Sequence, residues 1–179
     1  SSILIHKFNE AGEIARYKVR LVVKGFTMEK GVDYDKTFAP CARMVTVHMV
    51  IAYATAFGWD VTYSDMPNAY LNGKTLYLMI IKLPPMWTEI VGDRVGKNGD
   101  PAIMVNSLYG ALDAGRNWNC TYTSAFLEEE YIQCSKEPCI FFKGHLPKII
   151  IFVVWVDDSF ATGGDTVELQ RMHTRLKER

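Results

Sequence analysis

Two adjacent carboxylates, Asp157 and Asp158, follow directly on the longest apolar run of the chain, Ile149 to Val156. Such a run reads as a buried strand, Ser159 to Thr162 reads as a second short strand, and the pair falls at the tight turn between them. Like charges beside a buried strand repel each other and lose hydration, so solvent or cations must compensate. A hairpin tip is also an ordinary place for aspartate, and this feature alone leaves a metal site and a solvated turn equally open. Asp65 ends another strand-like segment, 60–64, and adds a third carboxylate that could lie beside the hairpin. Three carboxylates on one spot suit hard divalent ions such as Mg²⁺. Two such ions about 3.5–4 Å apart stabilise the attacking and leaving oxygens of phosphoryl transfer. Polymerases and nucleases both use such clusters, so the carboxylates by themselves do not choose between them.

Other elements must position these groups. Residues 16–24 read as a strand, with Arg16, Lys18, Arg20 and Lys24 on one face and Tyr17, Val19, Leu21 and Val23 on the other. A cationic face suits a phosphate-facing wall, and a solvated outer face fits the spacing equally well. Residues 31–40 read as loop. Residues 44–57 read as a helix with Met44, Val47, Ile51 and Ala54 on its buried stripe, His48 at its core or boundary, and Gly58 as the stop. Asn72-Gly73 is a turn signal, followed by a strand over 75–83 that Pro84-Pro85 closes. Residues 92–101 form a Gly-rich exposed loop without the pattern of a phosphate cradle. A second helix spans 116–131, with Trp118, Tyr122, Ala125 and Phe126 on one stripe, and Glu128 to Glu130 opposing the dipole at its end. Strands follow over 139–142 and 148–156. Asp165 with Glu168 opens a last helix through Leu176, and the chain stops in the charged pattern Lys177-Glu178-Arg179. This order fits an α+β sandwich with helices on one sheet face.

Composition narrows the class without naming a partner. Acidic and basic residues balance at 20 each, so no global field advertises nucleic acid, although a cleft can still be locally basic. The longest apolar run is too short to span a bilayer, so no membrane partner is expected. Cys41, Cys120, Cys134 and Cys139 show no zinc spacing and read as reduced thiols of an intracellular protein.

Blocks of sequence then resemble one family. Arg16 to Phe26, Gly31 to Pro40 with Ala42-Arg43-Met44, Phe57-Gly-Trp59 and Asp65 to Gly73 run in the order found in reverse transcriptases of copia-type retrotransposons. Pro84-Pro85, Ser107 to Gly110, Arg116-Asn-Trp118 and Val156-Asp-Asp158 continue the match over nearly the whole chain. The resemblance implies a right-hand polymerase of fingers and palm, the palm a ferredoxin-like antiparallel sheet backed by helices, cut off before the thumb. It places a fingers-like part at 1–58 and the palm at 59–179, with an inserted fingers segment at about 74–110. Asp65, Asp157 and Asp158 become the catalytic and metal-binding carboxylates for two Mg²⁺ or Mn²⁺ ions, and the Met66 carbonyl becomes a further metal ligand. Tyr70 falls where the family carries an aromatic residue against the sugar of the incoming nucleotide. Lys18 and Arg20 become candidates for triphosphate or template. The implied partners are a primed RNA or DNA template, dNTP and the rest of a pol polyprotein, in cytoplasmic virus-like particles.

Three places depart from the family pattern. Trp155 replaces a usual Tyr, and Met66-Pro67-Asn68 replaces a more usual Val-Lys-Thr. Asp113 stands where the family typically has Gln near the nucleotide, and an anion there should repel phosphates. The competing readings are a catalytically dead or domesticated remnant that at most binds nucleic acid, and a two-metal nuclease.

Overall fold

The structure, a computed structural model, describes residues 2–177; Ser1, Glu178 and Arg179 lie outside it, and with them the last two residues of the expected charged ending. Its centre is a five-stranded antiparallel sheet ordered β3-β9-β8-β7-β6. These strands are β3 (Val61–Asp65), β6 (Ile132–Gln133), β7 (Ile140–Lys143), β8 (Ile150–Trp155) and β9 (Asp158–Gly163). Two hairpins stand apart from it: β1 (Ser2–Phe8) with β2 (Ile14–Leu21), and β4 (Lys74–Lys82) with β5 (Pro101–Asn106).

Helices cover both faces of the central sheet, not one as the pattern of elements suggested. On one face, Trp118, Tyr122 and Phe126 of α4 (Ala114–Glu128) and Leu169 and Met172 of α5 (Thr166–Lys177) pack on Phe141, Ile150, Phe152 and Val154. Phe126 stacks on Phe141 with ring centroids 4.3 Å apart. On the other face, Val47 and Val50 of α1 (Met44–Phe57) meet Ile140, Ile151, Val153 and Phe160. The physical reason lies in β8 itself: an uninterrupted apolar run offers apolar groups to both faces, so each needs a cover.

Local signals explain most ends. Gly58 adopts φ 65 and returns its N–H to Ala54 and Thr55, closing α1. The Asp165 carboxylate accepts from the Glu168 N–H at 3.0 Å and starts α5. At the end of α4, Glu129 accepts from Arg171 at 2.7 Å and from Arg175 at 3.0 Å, so α5 neutralises the acidic terminus. Other expectations are corrected. Helix α1 is apolar nearly all round, and it buries Thr46, Val50 and Ala54 while Met44 and Ile51 stay exposed. His48 is exposed rather than packed. Asn72-Gly73 ends a four-residue helix, α2 (Ala69–Asn72), rather than turning a hairpin. A Cβ on Gly73 would come 2.8 Å from the Trp118 nitrogen, so close approach to α4 requires glycine there. A short helix, α3 (Trp87–Val91), sits in the β4–β5 connection.

Candidate active site

The register of β3 against β9 sets Asp65 directly opposite Asp158. Partners across an antiparallel pair share a face, so both carboxylates rise on the same side of the sheet. Asp157 occupies the two-residue turn between Trp155 and Asp158, which are themselves paired across β8 and β9. Val156 shares this turn and is held at φ 52. That left-handed conformation is strained for a β-branched residue. Two hydrogen bonds hold the turn in place. The Trp118 indole N–H donates to the Val156 carbonyl at 2.6 Å, and the Met66 N–H donates to the Asp157 carbonyl at 2.6 Å. Met66 thus anchors the turn through its backbone nitrogen, while its side chain is buried in the main core.

Asp65 and Asp157 line one hollow of about 420 Å³ together with Arg16, Lys18, Arg20, Asn68 and Tyr109. The cationic face of β2 therefore turns toward the carboxylates. Of its apolar alternates, Tyr17 and Val19 are 65% and 63% exposed, Tyr17 also borders the hollow, and Val23 packs on the cluster around Met79 and Met104. Burial, then the charges of Asp158 and Asp65, push the Asp157 carboxyl above its ordinary range, and Arg20 and Lys18 oppose the shift. Asp157 Oδ1 and Arg20 Nε are both buried without a hydrogen-bond partner. Both residues line this hollow, and buried polar atoms without a partner are uncommon in folded proteins.

Tyr109 stands over this hollow, with the Arg20 guanidinium 5.5 Å from its ring centre. The chain holds it there by a bridge between Val22 and Tyr109 and a 2.8 Å bond from the Val23 N–H to the Tyr109 carbonyl. The crossing is tight enough that a Cβ on Gly25 or Gly110 would collide with the opposing carbonyl. Tyr70 is half-buried, with its ring 5.2 Å from that of Tyr109. Burial and then the Asp157 charge raise its phenol pKa.

Not every expected residue joins this group. One Asp158 oxygen accepts a hydrogen bond from the Tyr63 hydroxyl. Among the described residues, no three His, Cys, Asp or Glu side chains are drawn together as a metal site. The backbone brings the three aspartates into register, but their side-chain oxygens do not meet. Asp113 lies at the start of α4, 2% exposed, where it accepts from the Asn117 amide at 2.8 Å. It lines a separate hollow of about 270 Å³ with Asp35, Lys36, Tyr77 and Arg116.

The profile of the reverse transcriptase (RNA-dependent DNA polymerase) family matches residues 2–179. The chain belongs to this family. Among curated proteins, this reverse transcriptase domain is 31% identical over 164 residues to a retrovirus-related Pol polyprotein from transposon TNT 1-94 of Nicotiana tabacum, covering 90% of the chain. It is 29% identical over 179 residues to the retrovirus-related Pol polyprotein from transposon RE2 of Arabidopsis thaliana, covering 99% of the chain. It spans only 12% of the length of each of these relatives. The copia-type resemblance read from the sequence blocks is borne out by these matches. No solved structure matches the chain.

Sequence reading of the reverse transcriptase blocks passed over Tyr109 and Tyr63 as site residues. Tyr63 was accessible in principle: it lies two residues before Asp65 on one strand, and a period of two puts both on one face. Tyr109 had no such signal, because its place depends on a crossing of two distant segments. Among the described residues, no helix is long and apolar enough to cross a membrane. The four cysteines are free.

Proposed function

We propose that this chain supplies the fingers and palm of an RNA-directed DNA polymerase within a retrotransposon Pol polyprotein. In this reading residues 1–58, with β1, β2 and α1, are the fingers-like part, the β4–β5 hairpin is the inserted fingers segment, and the five-stranded sheet with α4 and α5 is palm. One observation carries it: Asp65 at the end of β3 and Asp157 in the β8–β9 turn line a single hollow with Lys18 and Arg20. A nuclease could use the same carboxylates and cations on a phosphate backbone, and the reverse transcriptase family match over residues 2–179 favours the polymerase.

The donor set fits Mg²⁺ or Mn²⁺ in part. Asp157 Oδ1 is an unpartnered carboxylate oxygen, and Asp65 borders the same space. Hard oxygen donors of this kind suit such ions. Asp65, Asp157 and, once its carboxylate is free, Asp158 would hold two ions, with the Met66 carbonyl as a further donor. When bound, the ions supply charge stabilisation for attack of a primer 3′-hydroxyl on a dNTP and departure of pyrophosphate. The chain's own residues bind and orient. Lys18 and Arg20 neutralise triphosphate or template phosphates, and the paired rings of Tyr70 and Tyr109 border the sugar. Asp113 borders a hollow with Lys36 and Arg116, and its anion would repel nucleotide phosphates that approach on that side. The partners are a primed RNA or DNA template and dNTP, in cytoplasmic particles as the family implies.

A second reading, a catalytically dead remnant that only binds nucleic acid, draws support from the engagement of Asp158 by Tyr63. Primer extension on an RNA template with Mg²⁺ or Mn²⁺ tests both. Extension that falls by about a thousandfold in Asp157→Asn, roughly 4 kcal/mol of barrier, supports the polymerase. Equal extension by both proteins rejects Asp157 as catalytic. Binding of primed template without extension supports the remnant, and metal-dependent cutting without extension supports the nuclease.

A further inference from the structure

Tyr63 is an unusual neighbour for a metal-binding aspartate. It lies two residues before Asp65 on β3, so both side chains share the face on which Asp158 also rises. Its hydroxyl donates a hydrogen bond to Asp158. Tyr63 is 67% exposed, and Asp158 is exposed too, so nothing in the packing forces the two together. The bond forms because a phenol and a carboxylate are left side by side on an open strand pair. It engages an oxygen that a divalent ion would need, while Asp157 Oδ1 a residue away stays unpartnered.

We propose that Tyr63 is a positioning residue that competes with divalent metal for Asp158, holding this carboxylate out of the metal site until an ion displaces the phenol. The inference rests on the polymerase reading of Asp65, Asp157 and Asp158. It goes beyond that reading in giving this chain a built-in opponent of metal loading. A hydrogen bond to a charged acceptor must be broken before the oxygen can coordinate, and water screening at this exposed place keeps the effect modest.

Mn²⁺ binding to the full chain, followed by the loss of the free-ion electron paramagnetic resonance signal, tests this without any turnover. Tyr63→Phe keeps the ring and removes only the donor, so Mn²⁺ affinity should rise roughly threefold to tenfold. Asp158→Asn in the Tyr63→Phe background should erase that gain, because the phenol acts only through Asp158. Asp157→Asn should weaken Mn²⁺ binding in either background. Asp157-dependent binding that Tyr63→Phe leaves unchanged or weakens overturns the competition alone. A gain that persists in the absence of the Asp158 carboxylate also overturns it. Mn²⁺ binding that is absent in the wild-type chain, or indifferent to Asp157→Asn, overturns the metal-site reading and the competition with it. Thermal melts of each variant separate these outcomes from misfolding.

Discussion

The two ends of the central sheet treat charge in opposite ways. At the α4–α5 end, every carboxylate of consequence has a cation. Glu168 meets Arg171 at 2.6 Å and Lys143 at 3.1 Å, and Glu129 meets Arg171 and Arg175. At the hairpin end, Asp65 and Asp158 face each other across β3 and β9, Asp158 is engaged by the Tyr63 hydroxyl, and Asp157 keeps a buried oxygen with no hydrogen-bond partner. The same contrast holds for apolar groups. The α4–α5 face is closed over Phe126, Phe141 and Phe152, whereas the α1 side leaves Met49, Tyr53 and Tyr63 exposed. The first region pairs its charges, whereas the second leaves a buried carboxylate oxygen without a partner, an arrangement that costs stability.

The contrast can be broken most directly at the core. Phe126→Ala removes a ring with no exposure that touches Phe141, Tyr131 and Phe152, and should destabilise by about 3–5 kcal/mol in urea unfolding. Met49→Ala, on the outward face of α1, should stay within about 0.5 kcal/mol. Similar losses at both positions would mean that the α1 side is as well packed as the other.

A smaller effect belongs to the charged staple. Arg171 holds the Glu168 carboxyl down to about 2, below its ordinary 4.5. A depressed carboxylate contributes stability that is present above the ordinary value and is lost as pH falls through the folded one. Arg171→Ala should therefore destabilise by about 1 kcal/mol near neutrality, with the difference from wild type closing between pH 4.5 and about 2. A constant difference across that range would assign the effect to packing by the arginine stem.

The smallest effect has the opposite sign. Asp157 is raised above its ordinary range, so its stabilising state is the protonated one, and stability is lost as pH rises through the folded pKa. Asp157→Asn should raise Tm by about 2 °C at pH 7, the gain fading toward acid. A lower Tm would mean that the carboxylate is held by partners and is not a charge kept ready for a ligand.

Much of this was legible before any coordinates. The span of α1, the cap at Asp165, the buried stripe of α4 and the strand leading to Asp157 are local, written in periodicity, glycine and capping residues. The two-residue strand β6 and the strand β5 were not legible, because their pairing partners rather than their own pattern define them. The buried stripe of α1 was misassigned for a related reason: a helix apolar on all sides carries no phase from which to choose a face.

Sequence by itself determined the family, the three aspartates and the cationic strand, since ordered blocks and side-chain types survive without coordinates. Only the tertiary structure decided which of these groups meet. Strand register set Asp65 opposite Asp158, and the β2 hairpin turned Lys18 and Arg20 toward Asp157. A crossing of two glycines brought Tyr109 over the hollow, Asp113 was buried elsewhere, and Tyr63 took hold of Asp158. Each of these depends on contacts between residues far apart in the chain, where spacing carries no signal and packing alone chooses the neighbour.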